Sequence, residues 1–451
     1  MRALIFIIIG LIFIKFSSAQ ETKMYRFDLL RQNDNIDSLK RVSKKNTYQK
    51  FKLIQLSKST SMSFGGSWRM QYESFINEQF QNTRNQDQLW LLNRTMIHTH
   101  LKVKDKFEAF AELNNSLITD KDNLSPVDKD QLSVNQLFIK YHFLPNWSFG
   151  LGRENLKFGS GRLIDVREGP NVRRSFDASQ LSFHSDKFLA TIFFAIPVQP
   201  KPGIFDNNLL DFNETFSALY TTTNINKSNN IDLYAIYQKD NNVTYNSGNA
   251  NERRTSLGAR YFGDYKSLSY NNEIVYQFGD FGSQNIKAWT VSLQAKNRTK
   301  IHHHFFNIGL KTEIISGDKK ANDNTLNTFD ALYPRGAYFG RVARFGPSNL
   351  IDIHPYINTK FNKLFVEVDY DAFWRYSVND GVYNAAMLLE YTDTNDQRFI
   401  AHQLGTIIGY QFNKFIGIEL ESNIIFPSAF LKEKNLNNTL YHFVFTTEIK
   451  F

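Results

Sequence analysis

Between Phe158 and Asp177 the chain reads FGSGRLIDVREGPNVRRSFD, placing Arg162, Arg167, Arg173 and Arg174 among three glycines and a proline. A guanidinium stays charged in proteins and grips carboxylates or phosphates through a planar fork of N–H donors. Two chemistries fit this spacing. Either the four arginines face an external anion, or they pair with Asp165, Glu168 and Asp177 beside them. Covalent catalysis finds no comparable signal. There is no P-loop, GxSxG, CxxC or HExxH, no serine–histidine triad is singled out, and no cofactor is implied. The histidines at 302–304 fall in an expected surface turn without the spacing of a metal site, so no metal is expected.

What positions the arginines follows from the rest of the chain. Its 451 residues are 15% aromatic, with Phe 41 and Tyr 21, yet no segment after the N-terminus is apolar enough for a membrane helix. The apolar residues instead alternate. In YHFVFTTEIKF, Tyr441, Phe443, Phe445, Thr447, Ile449 and Phe451 share one face, and His442, Val444, Thr446, Glu448 and Lys450 the other. That is the length and pattern of a transmembrane β-strand, lipid outside and water inside. About eighteen such segments occur from residue 62 onward, joined alternately by short polar turns (104–106, 144–146, 185–186, 413–415) and long connections (117–133, 154–177, 317–349, 377–401). A soluble sandwich has no reason to alternate its loops. The expectation is an all-β fold: an antiparallel outer-membrane β-barrel of about 18 strands, with long extracellular loops folded inward.

Parity then assigns inward side chains: Arg69, Arg94, Lys140, Arg260, Lys311 and Arg375, with Glu367, Asp369 and Asp371 among the acids. The wall is of mixed charge, and strands fifteen and seventeen are locally acidic. Any selectivity for anions must then come from the loops.

The first residues, MRALIFIIIGLIFIKFSSAQ, have the basic start, short apolar run and small-residue end of a secretory signal peptide, cut after Ala19. Cysteine is absent, which excludes a disulfide framework. Residues 20–61 are polar and lysine-rich and read as a periplasmic tail, with a helix expected near Leu29 to Val42. A nucleic-acid arm is the other reading of such a run, and the signal peptide argues against it. The domain reading is 1–19 leader, 20–61 tail and 62–451 barrel.

GRENLKFGSGRLIDVREGPNVRRSFD, residues 152–177, resembles the arginine-rich segment of the alginate-export family of outer-membrane porins. DALYPRGAYFG, residues 330–340, resembles a second family segment. The resemblance covers residues 60–451. It implies an eighteen-stranded barrel passing a polyuronate or other anionic solute passively through a narrowing lined by Arg153, Arg162, Arg167, Arg173, Arg174 and Arg335. Strict alternation through Trp147, Phe149 and Leu151 aims Arg153 at lipid, whereas a bulge at Gly150 or Gly152, or a strand end before it, would turn it inward. The alternatives are a porin without anion preference and a barrel enzyme or adhesin. The implied surroundings are outer-membrane lipid, lipopolysaccharide, and the barrel-assembly machinery recognising the strand that ends at Phe451.

Overall fold

The computed structural model of the chain describes residues 27–36, 39–40, 42–81, 87–320, 323–393 and 395–451. The expected leader lies outside the described residues. Eighteen long strands follow one another. The first six are β1 (Thr60–Ile76), β2 (Gln88–Val103), β3 (Phe107–Thr119), β4 (Asp130–Leu144), β5 (Trp147–Glu154) and β6 (Phe176–His184). The next are β7 (Phe188–Pro197), β8 (Glu214–Asn224), β9 (Asn229–Tyr245), β10 (Gly248–Tyr265), β11 (Leu268–Phe281) and β12 (Gln284–Ile301). The last are β13 (His304–Ile315), β14 (Leu350–Phe361), β15 (Leu364–Arg375), β16 (Phe399–Gln411), β17 (Ile416–Pro427) and β18 (Leu440–Lys450).

Each pairs antiparallel with its neighbours in sequence. β18 returns to β1 in a register running from Ser67↔Lys450 to Ile76↔Tyr441. The backbone of Phe451 completes the seam, exchanging bonds of 2.9 and 3.0 Å with Gly66. Closure gives each of the eighteen described strands a partner on both sides, which a sheet surrounded by hydrocarbon requires. Alternation supplies the two faces. Leu89, Leu137 and Ile192 look outward and are more than half exposed, whereas Arg94, Gln136 and Gln277 on the opposite face are buried.

Short turns join the strands at one end. At Asn362–Lys363, for example, Phe361 pairs directly with Leu364, and Asn362 takes the positive φ (55°) that a two-residue hairpin favours. At the other end the wall is uneven. β5 and β6, with 8 and 9 residues, are short, while β9, β10 and β12 run to 17 or 18. Residues 239–245, 248–253 and 296–301, though mostly polar, continue these strands.

The loops rooted at the low wall and between β13 and β14 turn into the barrel, so the apolar core lies inside the cylinder. Phe176 and Phe216 pack on Tyr333 of the second loop at ring distances of 5.2 and 4.6 Å, and Phe345 packs on Phe373 at 5.0 Å.

Residues up to Leu53 form a separate small unit. Its α-helix, α1, is Thr47–Lys52, started by a reciprocal Asn46–Gln49 capping box, beside a cluster of Ile36, Leu39 and Leu53. The helix expected near Leu29 to Val42 is corrected: the described residues there show a 3-10 turn at Arg31–Asn33, and the helix follows the Asn46 cap instead. Residues Ile54–Ser57 pair with the start of β1.

Candidate functional site

The two arginine-bearing loops interlock. Ile164 and Tyr333 form a parallel bridge: Asp165 N donates to Tyr333 O (2.9 Å), Tyr333 N to Leu163 O (2.9 Å), and Arg335 N to Gly161 O (3.1 Å). Gly161 makes the turn into this pairing at φ 74°. On the other side of the seam, a Cβ on Gly336 would lie 2.4 Å from Pro170 and 2.7 Å from Arg167, so the loops meet there backbone to side chain.

Several arginines fasten the loops to the wall. Arg162 reaches across to Glu313 on β13 (2.7 Å) and Glu273 on β11 (3.1 Å). Glu168 receives Arg173 of its own loop and Arg94 from β2, both in close contact. Arg69 of β1 stands 4.0 Å from Glu168 and donates to the carbonyls of Glu168, Gly169 and Pro170. Burial alone would raise the pKa of Glu168. Arg173, Arg94 and Arg69 overcome that and hold it well below the usual carboxylate range. The second loop is tied by Arg341, to Glu419 (2.5 Å), Glu421 (3.3 Å) and Thr446 (2.7 Å), and by Arg344, to Glu390.

Arg153 is a correction. Strand pairing runs unbroken through Gly152, without the expected bulge, so Arg153 keeps its outward parity opposite the exposed Leu137. There it clamps Asp177 on β6 through bonds of 2.8 and 2.9 Å.

Three arginines at the seam stand apart. Arg167, Arg174 and Arg335 have no carboxylate at ion-pair distance among the described residues. Arg174 lies over the Tyr333 ring (5.3 Å) and donates to Pro334 O (3.3 Å); Arg335 lies over Tyr338 (4.7 Å). Arg167 sits at φ 56°, a left-handed conformation costing an arginine about 1 kcal/mol. Its Nε is buried without a partner. Burial, and then Arg174, disfavour its charge; a guanidinium does not give up its proton, so an anion is what would relieve that strain. Arg167 and Arg174 line a cavity of about 720 Å³ together with Glu214, Asp240, Asp330 and Tyr333.

The remaining wall residues are distributed more widely. Lys140 lies opposite Glu108, Arg260 binds Asp232 (2.8 Å), and Lys311 lies over Tyr356 (4.7 Å). Glu367 accepts from Asn358 (2.7 Å), and Asp369 and Asp371 flank His354. Arg375 holds the loop after β15 by donating to the carbonyls of Val378 (3.0 Å) and Gln397 (3.0 Å). Sequence reasoning missed Arg341, which follows directly on the motif that stops at Gly340, and which neutralises the acidic stretch on β17.

A closed barrel of eighteen antiparallel strands, apolar outside and filled by inward loops, defines an outer-membrane protein of the porin class. The alginate-export family model matches residues 60–445, and the chain belongs to that family. No curated protein sequence matches it. Among solved structures it is similar to Acinetobacter baumannii OccAB1, with TM-score 0.60 and 9% identity, over 86% of this chain and 96% of that one. It is similarly close to Acinetobacter baumannii OccAB4 (0.59, 12%, 88% and 100%) and Pseudomonas aeruginosa OpdQ (0.58, 12%, 86% and 97%). At such identities the likeness shows the fold. The protein resides in the bacterial outer membrane.

Proposed function

We propose that this porin passes an anionic solute or an alginate-like polyuronate by passive diffusion along Arg167, Arg174 and Arg335. The observation carrying this reading is the division of labour at the seam. Arg162, Arg173, Arg341 and Arg344 are each neutralised by carboxylates, while these three are left for a mobile anion. Weak sequential contacts of this kind let a charged chain enter without being trapped. On this reading the protein is a conduit and not an enzyme, set in lipid and lipopolysaccharide, and inserted by the barrel-assembly machinery through the β18 strand.

Reversal potentials across planar bilayers in a KCl gradient test it. The wild type is expected to prefer chloride, and Arg167→Ala/Arg174→Ala to lose most of that preference; block by polyuronate, and not by a neutral glycan, should disappear with it. A wild-type pore without preference overturns the proposal. It would favour a general porin, a reading supported by Glu214, Asp240 and Asp330 in the same cavity.

A further inference from the structure

Away from the seam, Asp352 and His354 on β14 and Asp371 on β15 point into the barrel with ligand atoms all within 4.8 Å of one another. The three are 1, 7 and 0% exposed. Asp352 Oδ1 and His354 Nε2 are each buried without a hydrogen-bond partner, and Asp371 Oδ1 is buried against the His354 ring. His354 Nδ1 lies against Asp371, and Nε2 faces Asp369 Oδ1 at 3.7 Å.

No lysine or arginine among the described residues reaches Asp352 or Asp371 at ion-pair distance. Lys311, opposite His354, is drawn over the Tyr356 ring, and Glu313, opposite Asp352, is occupied by Arg162. Besides His354, the donor that reaches the pair among the described residues is Gln403 Nε2, at 3.4 Å from Asp371 Oδ2. Two adjacent buried carboxylates with no counter-charge beyond a single imidazole are costly unless a proton or a cation bridges them.

We infer that Asp352, His354 and Asp371 form a binding site for a first-row divalent cation, of which Zn²⁺ is the natural probe. Two carboxylate oxygens and an imidazole nitrogen suit such an ion, and too few oxygens are present for calcium. Asp369 Oδ1, 3.7 Å from Nε2, stands on the side of the imidazole where a metal-bound histidine takes its outer partner, while Nδ1 faces the carboxylates. Gln403 links the site to the second loop, because its Nε2 also donates to Phe339 O at 2.9 Å. The bound ion would staple β14 to β15 directly beneath the segment that carries Arg335. This inference is independent of the solute the pore passes.

The test is metal content of the folded protein after refolding in detergent with ZnCl₂, followed by removal of free metal. The exposed run of three histidines is first replaced (His302→Ala, His303→Ala, His304→Ala) to clear a competing surface site. About one Zn²⁺ per chain is expected, with a higher unfolding temperature than the same protein refolded with chelator. Asp352→Asn and Asp371→Asn should each weaken binding at least about tenfold. Both relieve the carboxylate repulsion, so their metal-free forms should unfold no earlier than metal-free parent. Absence of tight zinc in the parent, or zinc retained equally by both variants, overturns the assignment, and the pair then shares a proton.

Discussion

Glu168 is the point at which three buried guanidiniums converge, and replacing it by alanine tests how the first loop is held. Arg94 and Arg173 would lose their carboxylate outright and Arg69 its nearest anion, with side chains only 1, 7 and 5% exposed. Removing one partner of a buried ion pair costs about 3–5 kcal/mol. Glu168 keeps 35% of its own side chain open to water, which screens the interaction and places the loss near the lower limit. About 3 kcal/mol is a shift of roughly a hundredfold in favour of the undocked loop. The barrel wall should survive, since none of its backbone pairs involves Glu168.

The assay is single-channel conductance combined with limited proteolysis. Glu168→Ala is expected to give a larger, noisier conductance and a new cleavage within residues 158–177. Because the carboxyl pKa is depressed, its contribution is complete above the unfolded value of about 4.3 and is lost only as pH falls through the lower folded value. Wild-type conductance should accordingly hold at pH 4. If the alanine variant conducts and resists protease like the parent, or if the wild-type loop releases near pH 5, the clamp as described is wrong.

The other predictions concern neighbouring contacts. Arg162→Ala strands Glu273 and Glu313 in the interior and should cost about 3–5 kcal/mol, read as a lower unfolding temperature; Arg162→Lys should not rescue it, because one ammonium cannot span both acceptors. Gly336→Val drives a side chain into Pro170 and Arg167 and should part the seam, seen as raised conductance with the barrel still folded. Burial, reinforced by Glu252 and opposed by Arg254, lifts the Asp330 carboxyl to about 6. It is ionised at pH 7 and offsets the cavity arginines, so chloride preference should rise as pH drops from 7 to 5, and Asp330→Asn should abolish that rise.

Much of the architecture was legible because the lipid boundary imposes period-two alternation on every strand, and each of the eighteen alternating segments lies in one. Strand ends were less so. Around Asn241, Asn242, Asn249 and Asn251 both faces turn polar, yet backbone pairing carries β9 and β10 to a tight turn at residues 246–247. The motif segments pointed to the two loops that meet. Which arginines are spent on structure could not be read, since Arg162 finds its carboxylates 111 and 151 residues away. Local spacing suggested Asp165, Glu168 and Asp177 as partners of the loop arginines; Glu168 takes Arg173, Asp177 takes Arg153, and Asp165 pairs with Lys157 (2.7 Å). The cluster at Asp352, His354 and Asp371 was equally hidden, because it exists only once β14 and β15 lie side by side.

The two interlocked loops belong to distant stretches of the polypeptide, one issued after the fifth strand and the other after the thirteenth. Neither can complete the mouth alone. Loss of either loop would unfasten the other, because the backbone bonds across the seam need both. A deletion within residues 317–349 should therefore free residues 158–177 as well, seen as new protease cleavage in a stretch the deletion never touched.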